Sequence, residues 1–335
     1  MFKMRRRVFG LACTALIGTL TTSSAFAQDT KITYRLAFIP GGIDAPAFVA
    51  HGKGYFAEEG LDVEIIDGTG STVSIQQVGN GSVDMANAGL GALVQAAGTA
   101  DFDDITAVFG LVQKDPSAII ALKGSGITEP KDIEGKRFAT EAGNLSDGMI
   151  TAFAEANDID LDTIELIVTD AYQTALLRGD ADFINGWANP DGDKVAQFEE
   201  IEEPILFADH GVNLLGSSVI MRKDWLAENE DAVRGFLRAI TRGHADVLAD
   251  PEEALEIFME YRPDASREAI GMEIEVMEKY RFTNRTEDEK ILGWVHPDDL
   301  TQTIDLLERY ADVPAGKITP DMVYTSAYHP NPPSQ

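Results

Sequence analysis

Strand and helix signals alternate along most of the chain, and this alternation restricts the fold more than any other feature. Alternating apolar residues over 32–38 predict a half-buried strand, and the turn at Pro40-Gly41-Gly42 leads into a helix that stops at Gly60. The same order recurs to residue 122. After Lys123-Gly124-Ser125-Gly126, a second alternation runs to residue 221. Such an order predicts parallel strands covered by helices, so the expected fold class is α/β.

The two alternating blocks share a local pattern. Gly81-Ser82-Val83-Asp84-Met85 follows one predicted helix, and Gly179-Asp180-Ala181-Asp182-Phe183 follows another. We therefore expect two similar α/β lobes. Lobe 1 would hold residues 28–122 and 214–335, including the C-terminal helices, and lobe 2 would hold residues 123–213. The chain would cross between lobes near Lys123 and Asn213, forming a two-segment hinge beside a ligand cleft.

Residues 1–27 have the features of a secretory signal peptide. Basic residues precede an apolar run, and Ala25-Phe26-Ala27 matches a cleavage site, so we expect an exported, periplasmic chain that begins at Gln28. Export by the general or the twin-arginine route stays open. The apolar run is shorter than the roughly 20 residues that a bilayer span needs, so no membrane insertion is expected. Cleavage would also remove Cys13, the only cysteine.

Charge excludes some classes of partner. The chain has 56 acidic and 27 basic residues, a formal charge of −29. Nucleic acid needs a basic face, so it is not an expected partner. No histidines pair at zinc-binding spacing, and we expect neither a metal nor a cofactor. So large an acidic excess favours solubility and disfavours self-association, and a monomer is expected.

Three segments carry a family resemblance. Lys53-Gly54-Tyr55-Phe56 with Glu59-Gly60-Leu61-Asp62-Val63 resembles the opening of the periplasmic substrate-binding proteins of the sulfonate, nitrate and thiamine-precursor group. Residues 81–85 and 127–136 resemble later segments of that family, in the same order. The resemblance implies the type II periplasmic binding protein fold. It also implies delivery of a small solute to the membrane permease of an ABC importer.

The ligand would lie beyond the carboxyl ends of the strands, as in other open α/β sheets. The predicted loops there are 39–45, 67–72, 87–91, 141–147, 170–173, 186–191 and 209–213; they contain several carboxylates but neither Lys nor Arg. An acidic lining with aromatic faces suits a neutral or cationic flat heterocycle, and a pyrimidine precursor of thiamine fits this class. The candidate ligand-binding residues are Phe38, Asp44, Thr69, Ser71, Thr72, Asn87, Asn144, Ser146, Tyr172, Trp187, Asn189 and His210.

Alternatives remain open at this point. Phe38, Tyr172 and Trp187 could serve packing rather than binding, and Ser71 and Thr72 could only cap a helix. Helix N-termini and hydroxyl groups could instead hold a sulfonate, a taurine-like ligand or an aromatic carboxylate. An enzyme acting on a thiamine-related heterocycle is the alternative from another class. The best-known enzyme of that kind with this fold uses a cysteine nucleophile, which the mature chain would lack, so the sequence predicts a protein that is not an enzyme.

Overall fold

A computed structural model describes residues 29–99, 102–141, 146–189 and 191–332, without the side chains of Ser146 and Asp147. The predicted signal peptide and Asn144 lie outside the described residues. No described helix is both long and apolar enough to cross a membrane.

The described strands form two five-stranded sheets that share one topology. The first sheet has the order β2-β1-β3-β10-β4, and the second has β7-β6-β8-β5-β9. The strands are β1 (Thr30–Arg35), β2 (Leu61–Ile66), β3 (Met85–Gly89), β4 (Ile105–Gly110), β5 (Ser117–Ala121), β6 (Arg137–Thr140), β7 (Glu165–Val168), β8 (Phe183–Trp187), β9 (Ile205–Leu206) and β10 (Ser217–Arg222). Together with the helices, they confirm the α/β fold class.

Helices cover both faces of each sheet. They are α1 (Ala45–Gly52), α2 (Tyr55–Glu58), α3 (Ser71–Gly79), α4 (Leu90–Thr99), α5 (Ser146–Ala156), α6 (Tyr172–Leu177), α7 (Asp191–Ala196), α8 (Lys223–Glu228), α9 (Glu230–Ala249), α10 (Pro251–Tyr261), α11 (Arg267–Val276), α12 (Glu278–Arg281), α13 (Pro297–Tyr310) and α14 (Pro320–Val323). In α9, residues at helical spacing such as Val233, Phe236 and Ile240 are buried in the core of the first sheet. This amphipathic pattern explains why the helix forms there.

Each sheet is mixed rather than wholly parallel. β1 runs parallel to β2 and β3, and β6 runs parallel to β7 and β8. In contrast, β10 is antiparallel to its neighbours, and so is β5. Both are the strands that follow a crossing from the other sheet. In each case the chain enters the sheet at the edge where the parallel strands end, so β5 and β10 run in the opposite direction to those strands.

The strand at residues 117–121 differs from its predicted placement in lobe 1. It pairs with β8 and β9 and therefore belongs to the second sheet. The first crossing accordingly lies between Gly110 and Ser117, not near Lys123, whose ammonium group instead pairs with Glu202 at 2.6 Å. The sequence does not reveal this change, because the strands on both sides of the crossing are buried and similarly apolar.

Asn213 joins the two crossing segments. Its Oδ1 accepts a hydrogen bond from the Asp115 amide at 2.8 Å, and its Nδ2 donates to the Gln113 carbonyl at 2.9 Å. The Asn213 side chain is buried. Both segments are therefore held side by side, as a two-segment connection between the sheets requires.

Helix α13 forms a further connection between the sheets. Leu300 and Leu307 pack in a core beside the first sheet, whereas Leu306 packs with α5 in the core of the second sheet. At the end of α13, the Tyr310 hydroxyl donates to Glu155 of α5 at 2.5 Å. Helix α13 thus links the two sheets in addition to the two chain crossings.

Candidate functional site

On the first sheet, a chain of polar side chains leads from the core to the ends of the strands. The Tyr34 hydroxyl, on β1, donates to Asn87 Oδ1 at 2.6 Å, and Asn87 Nδ2 lies 3.4 Å from Asp44 Oδ1. Tyr34 and Asn87 are buried, whereas Asp44 is half-buried. Two predicted site residues, Asp44 and Asn87, are therefore neighbours.

The surroundings of Asp44 favour its neutral form. Burial is the main cause that raises its pKa to about 7, and the nearby Glu273 carboxylate contributes in the same direction. Hydrogen bonds from the Gly41 amide and from Asn87, together with the charge of Arg281, act in the opposite direction. A carboxyl group with such a pKa can hold or release a proton near neutral pH.

Helices α11 and α12 bring charged residues that the sequence analysis did not include. Glu273 Oε2 accepts a hydrogen bond from the Gly42 amide at 2.6 Å. Arg281 is 1% exposed and donates from Nη1 to the Leu111 carbonyl at 2.5 Å. Its Nε lies 3.4 Å from Glu278 Oε1. Arg281 is thus a buried cation close to the site, although the strand-end loops contain none.

The predicted hydroxyl residues lie on the loop between β2 and α3 and on the first turn of that helix. Ser71 Oγ accepts a hydrogen bond from the Gly89 amide at 3.0 Å, which joins this loop to the end of β3. Thr69 Oγ1 accepts from the buried Arg35 Nη2 at 3.1 Å. Thr72 is exposed on the first turn of α3. Arg35 is a second buried cation that the loop sequences do not contain.

On the second sheet, Tyr172 and Trp187 both lie near one acidic residue, Asp191. Asp191 Oδ2 accepts a hydrogen bond from the Trp187 amide at 3.0 Å, and Gln173 donates to Asp191 Oδ1 at 3.0 Å. Burial, followed by the charges of Asp191 and Glu141, raises the pKa of Tyr172. The Trp187 side chain is 57% exposed, so an aromatic face is available at the end of β8.

Two contacts bring the strand ends of the two sheets together. The Tyr280 hydroxyl, on α12, donates to Asn189 Oδ1 at 2.8 Å. Tyr280 also packs with Ala188 of the second sheet, and Ile43 packs against the same cluster. These contacts join the strand ends of the two sheets, which is where the sequence predicts the cleft.

The three remaining candidates have different surroundings. The His210 ring packs edge-on against Phe153 of α5, with ring centroids 6.1 Å apart, and its carbonyl accepts from Asn157. Phe38 follows β1 and is 61% exposed rather than packed in a core. Ser146 begins α5, but its side chain is outside the described part of the chain.

Two cavities accompany the cleft. One of about 250 Å³ lies between β9 and α12 and is lined by Asn189, Asp193 and Tyr280, among others. The other, of about 180 Å³, lies beside the crossings and is lined by residues such as Lys114, Asn213 and Arg285. Within the described ranges, no group of three or more His, Cys, Asp or Glu side chains is placed to hold a metal.

The candidate loops all follow strands, whereas Glu273, Tyr280 and Arg281 lie on α11 and α12, so the sequence did not indicate them as candidates. Residues 267–281 carry charged residues at many positions, which is typical of a solvated helix. The aromatic-basic pair Tyr280-Arg281 does not by itself indicate burial.

Comparison with known proteins identifies relatives of two kinds. A family model described as NMT1/THI5 like matches residues 44–254. A 4-amino-5-hydroxymethyl-2-methylpyrimidine phosphate synthase of Saccharomyces cerevisiae is 27% identical, over 71% of this chain and 73% of its own length. The riboflavin-binding protein RibY of Chloroflexus aurantiacus is 24% identical, over 76% of this chain and 73% of its own.

The fold matches a solved solute-binding protein. The periplasmic aliphatic sulphonate binding protein SsuA of Escherichia coli superposes with a TM-score of 0.65 at 14% identity. The match covers 86% of this chain and 94% of that one. The expected periplasmic binding protein fold is therefore confirmed.

The prediction that the chain is not an enzyme is contradicted by these relatives. Several of them are named as pyrimidine phosphate synthases, from Saccharomyces cerevisiae, Aspergillus parasiticus and Legionella pneumophila. The prediction relied on the absence of a cysteine outside the first 27 residues, and one missing nucleophile does not exclude other chemistry on the same fold.

Proposed function

The chain belongs to the NMT1/THI5-like family, and we propose that it binds a small nitrogen heterocycle, of which a thiamine pyrimidine precursor is the leading example. In this proposal the chain is exported, loses residues 1–27, and delivers its ligand to the permease of an ABC importer. One lobe would hold residues 29–110 and 217–332, and the other would hold residues 117–206. The two lobes would move relative to each other about the two crossings.

The observation that carries the proposal is the combination of exposed aromatic faces and carboxylates at the strand ends. Phe38 and Trp187 are both more than half exposed at those ends. Asp191 lies beside Trp187 on the second sheet, and Asp44 lies next to Asn87 on the first. A flat heterocycle can stack on an aromatic ring while its N–H groups donate to carboxylates.

A ligand-binding screen tests this proposal. We would measure thermal unfolding with 4-amino-5-hydroxymethyl-2-methylpyrimidine, riboflavin and an alkanesulfonate. A ligand at a hundredfold excess over its Kd stabilises the folded protein by about 2.7 kcal/mol. Stabilisation by the pyrimidine supports the proposal. Stabilisation by the sulfonate alone contradicts it, because an anion would then occupy the site.

Trp187→Ala tests the stacking contact. We expect the affinity for the pyrimidine to fall about 3- to 10-fold, because a stacked aromatic pair contributes roughly 0.5–1.5 kcal/mol beyond its buried area. Phe198→Ala is the matched control, since Phe198 is 73% exposed but lies beyond α7. Equal affinities of the two variants and the parent chain would exclude Trp187 as a stacking residue.

The names of the relatives favour a second candidate, synthesis of a pyrimidine phosphate. The two candidates differ in the fate of the bound molecule. Mass spectrometry of the chain after incubation with a cell extract would recover an unchanged heterocycle from a binding protein. A pyrimidine phosphate that accumulates with time would favour the synthase.

A further inference from the structure

Two carboxyl groups from different elements meet at one turn of the cleft. The Gly41 amide donates to Asp44 Oδ2 at 3.1 Å, and the adjacent Gly42 amide donates to Glu273 Oε2 at 2.6 Å. A Cβ added at Gly41 would lie only 2.5 Å from Glu273 Oε2, so the carboxylate rests directly against this turn. Successive peptide groups thus place Asp44 and Glu273 side by side.

Nearby positive charges do not fully balance the negative charges of Asp44 and Glu273. Three ionisable groups interact with Asp44 by charge, so that one shifts the pKa of the other. They are Tyr34 from β1, Glu273 from α11 and Arg281 from α12. Tyr34 carries no charge at neutral pH, because burial raises its pKa further. Arg281 directs its hydrogen bonds to Leu111 and Glu278. Among the described residues, Asp44 therefore has no direct cationic partner.

We infer that Asp44 and Glu273 receive a basic nitrogen of the ligand, and that the complex holds one proton shared between that nitrogen and the Asp44 carboxyl group. This inference deepens the proposed function and rests on it. A ring nitrogen next to an amino group matches a carboxylate, because both can form N–H···O bonds with its two oxygens. Glu273 adds a second negative charge that favours the protonated ligand.

The shared proton makes binding depend on pH in both directions. At alkaline pH the free ligand and Asp44 are both unprotonated, so binding takes up a proton. At acidic pH both are protonated, so binding releases one. Affinity therefore falls about tenfold per pH unit on each side of an optimum. The raised pKa of Asp44, about 7, places the alkaline side of this profile above neutrality.

Calorimetry with 4-amino-5-hydroxymethyl-2-methylpyrimidine tests the inference. Titrations at pH 8.5 in two buffers of different ionisation enthalpy give the number of protons taken up. We expect about one proton per ligand for the parent chain and none for Asp44→Asn. The amide oxygen of this variant can still accept from Gly41, so the turn is retained. At neutral pH, we expect Asp44→Asn to bind about 10- to 100-fold more weakly.

The Glu273→Gln variant distinguishes the contribution of Glu273 to binding from that of Asp44. It should bind more weakly but still take up a proton, because Asp44 remains. Glu256→Gln, at an exposed position of α10, is the matched control and should behave like the parent chain.

Failure of the inference and failure of the proposed function give different results. A parent chain that binds the pyrimidine without proton uptake, or an Asp44→Asn variant that still takes up a proton, would overturn the inference alone. A parent chain that does not bind the pyrimidine would overturn both.

Discussion

Gly42 shows how one residue controls the placement of a whole helix. A Cβ added there would lie 2.6 Å from the Ile274 amide nitrogen and 2.6 Å from Glu273 Cβ, both on α11. Backbone atoms at such a distance can make room for the added Cβ only if the whole of α11 moves. We expect Gly42→Ala to lower the free energy of unfolding by about 1–3 kcal/mol. Denaturant unfolding would measure the loss.

Gly91→Ala provides the comparison for this prediction. The nearest neighbour of an added Cβ at Gly91 is 3.7 Å away, an ordinary contact distance. We expect Gly91→Ala to be neutral or mildly stabilising, because alanine favours the helix that contains it. A Gly42 variant as stable as the Gly91 variant would show that α11 is not held against this turn.

The raised pKa of Asp44 predicts that the free energy of unfolding depends on pH. Burial raises its pKa from 3.8 to about 7, so the folded chain binds this proton more tightly than the unfolded chain. Ionisation therefore destabilises the folded state increasingly between about pH 4 and pH 7. We expect Asp44→Asn to raise the free energy of unfolding by about 1–3 kcal/mol at pH 8 and to change it little at pH 4.

Urea unfolding at the two pH values measures this effect. Asp305→Asn, at an exposed position of α13, is the control for the loss of one negative charge. An equal gain in both variants at pH 8 would attribute the effect to the overall acidic charge and not to the burial of Asp44.

At the scale of elements, α13 contributes to the cores of both sheets. Leu306 is 8% exposed and packs with Phe153 and other residues of the second sheet's core, whereas Leu300 is 1% exposed and packs beside the first sheet. We expect Leu300→Ala and Leu306→Ala each to cost about 2–4 kcal/mol of unfolding free energy. Only Leu306→Ala should also loosen α5.

Hydrogen exchange of α5 amides distinguishes the two variants. Faster exchange in Leu306→Ala, with α5 protection nearly retained in Leu300→Ala, is the expected pattern. The same exchange rates in both variants would mean that α13 does not support α5 separately from the first sheet.

At the scale of the whole molecule, Tyr280 links the two sheets across the cleft. Its hydroxyl binds Asn189 of the second sheet at 2.8 Å, and its carbonyl accepts from the Gln113 and Lys114 amides of a crossing segment. We expect Tyr280→Phe to raise the open-to-closed ratio about 2- to 10-fold, because one hydrogen bond favouring closure is lost.

Single-molecule energy transfer between dyes on the two sheets measures that ratio. Tyr328→Phe is the matched control, because its hydroxyl binds Glu230 within the part of the chain that covers the first sheet. A Tyr280→Phe variant with the distance distribution of the control would show that the bond to Asn189 does not hold the sheets together.

The sequence by itself determined the local features of this protein. Its hydrophobic periodicity was sufficient to predict the α/β class, and its short motifs were sufficient to identify the family. Residues at or beyond the ends of strands, such as Trp187 and Asp44, could be proposed for the same reason, since the ends of parallel strands meet at one edge. These are properties of a few consecutive residues, so they can be derived without distant contacts.

Only the tertiary structure decided which distant residues complete the cleft. Glu273, Tyr280 and Arg281 are more than 220 positions from Gly42 in sequence, and only the packing of α11 and α12 places them beside its turn. The sheet to which β5 belongs was decided in the same way, because a buried strand has the same apolar pattern in either sheet. Burial and pairing depend on the whole fold, and both the charge environment of Asp44 and the position of the crossings follow from them.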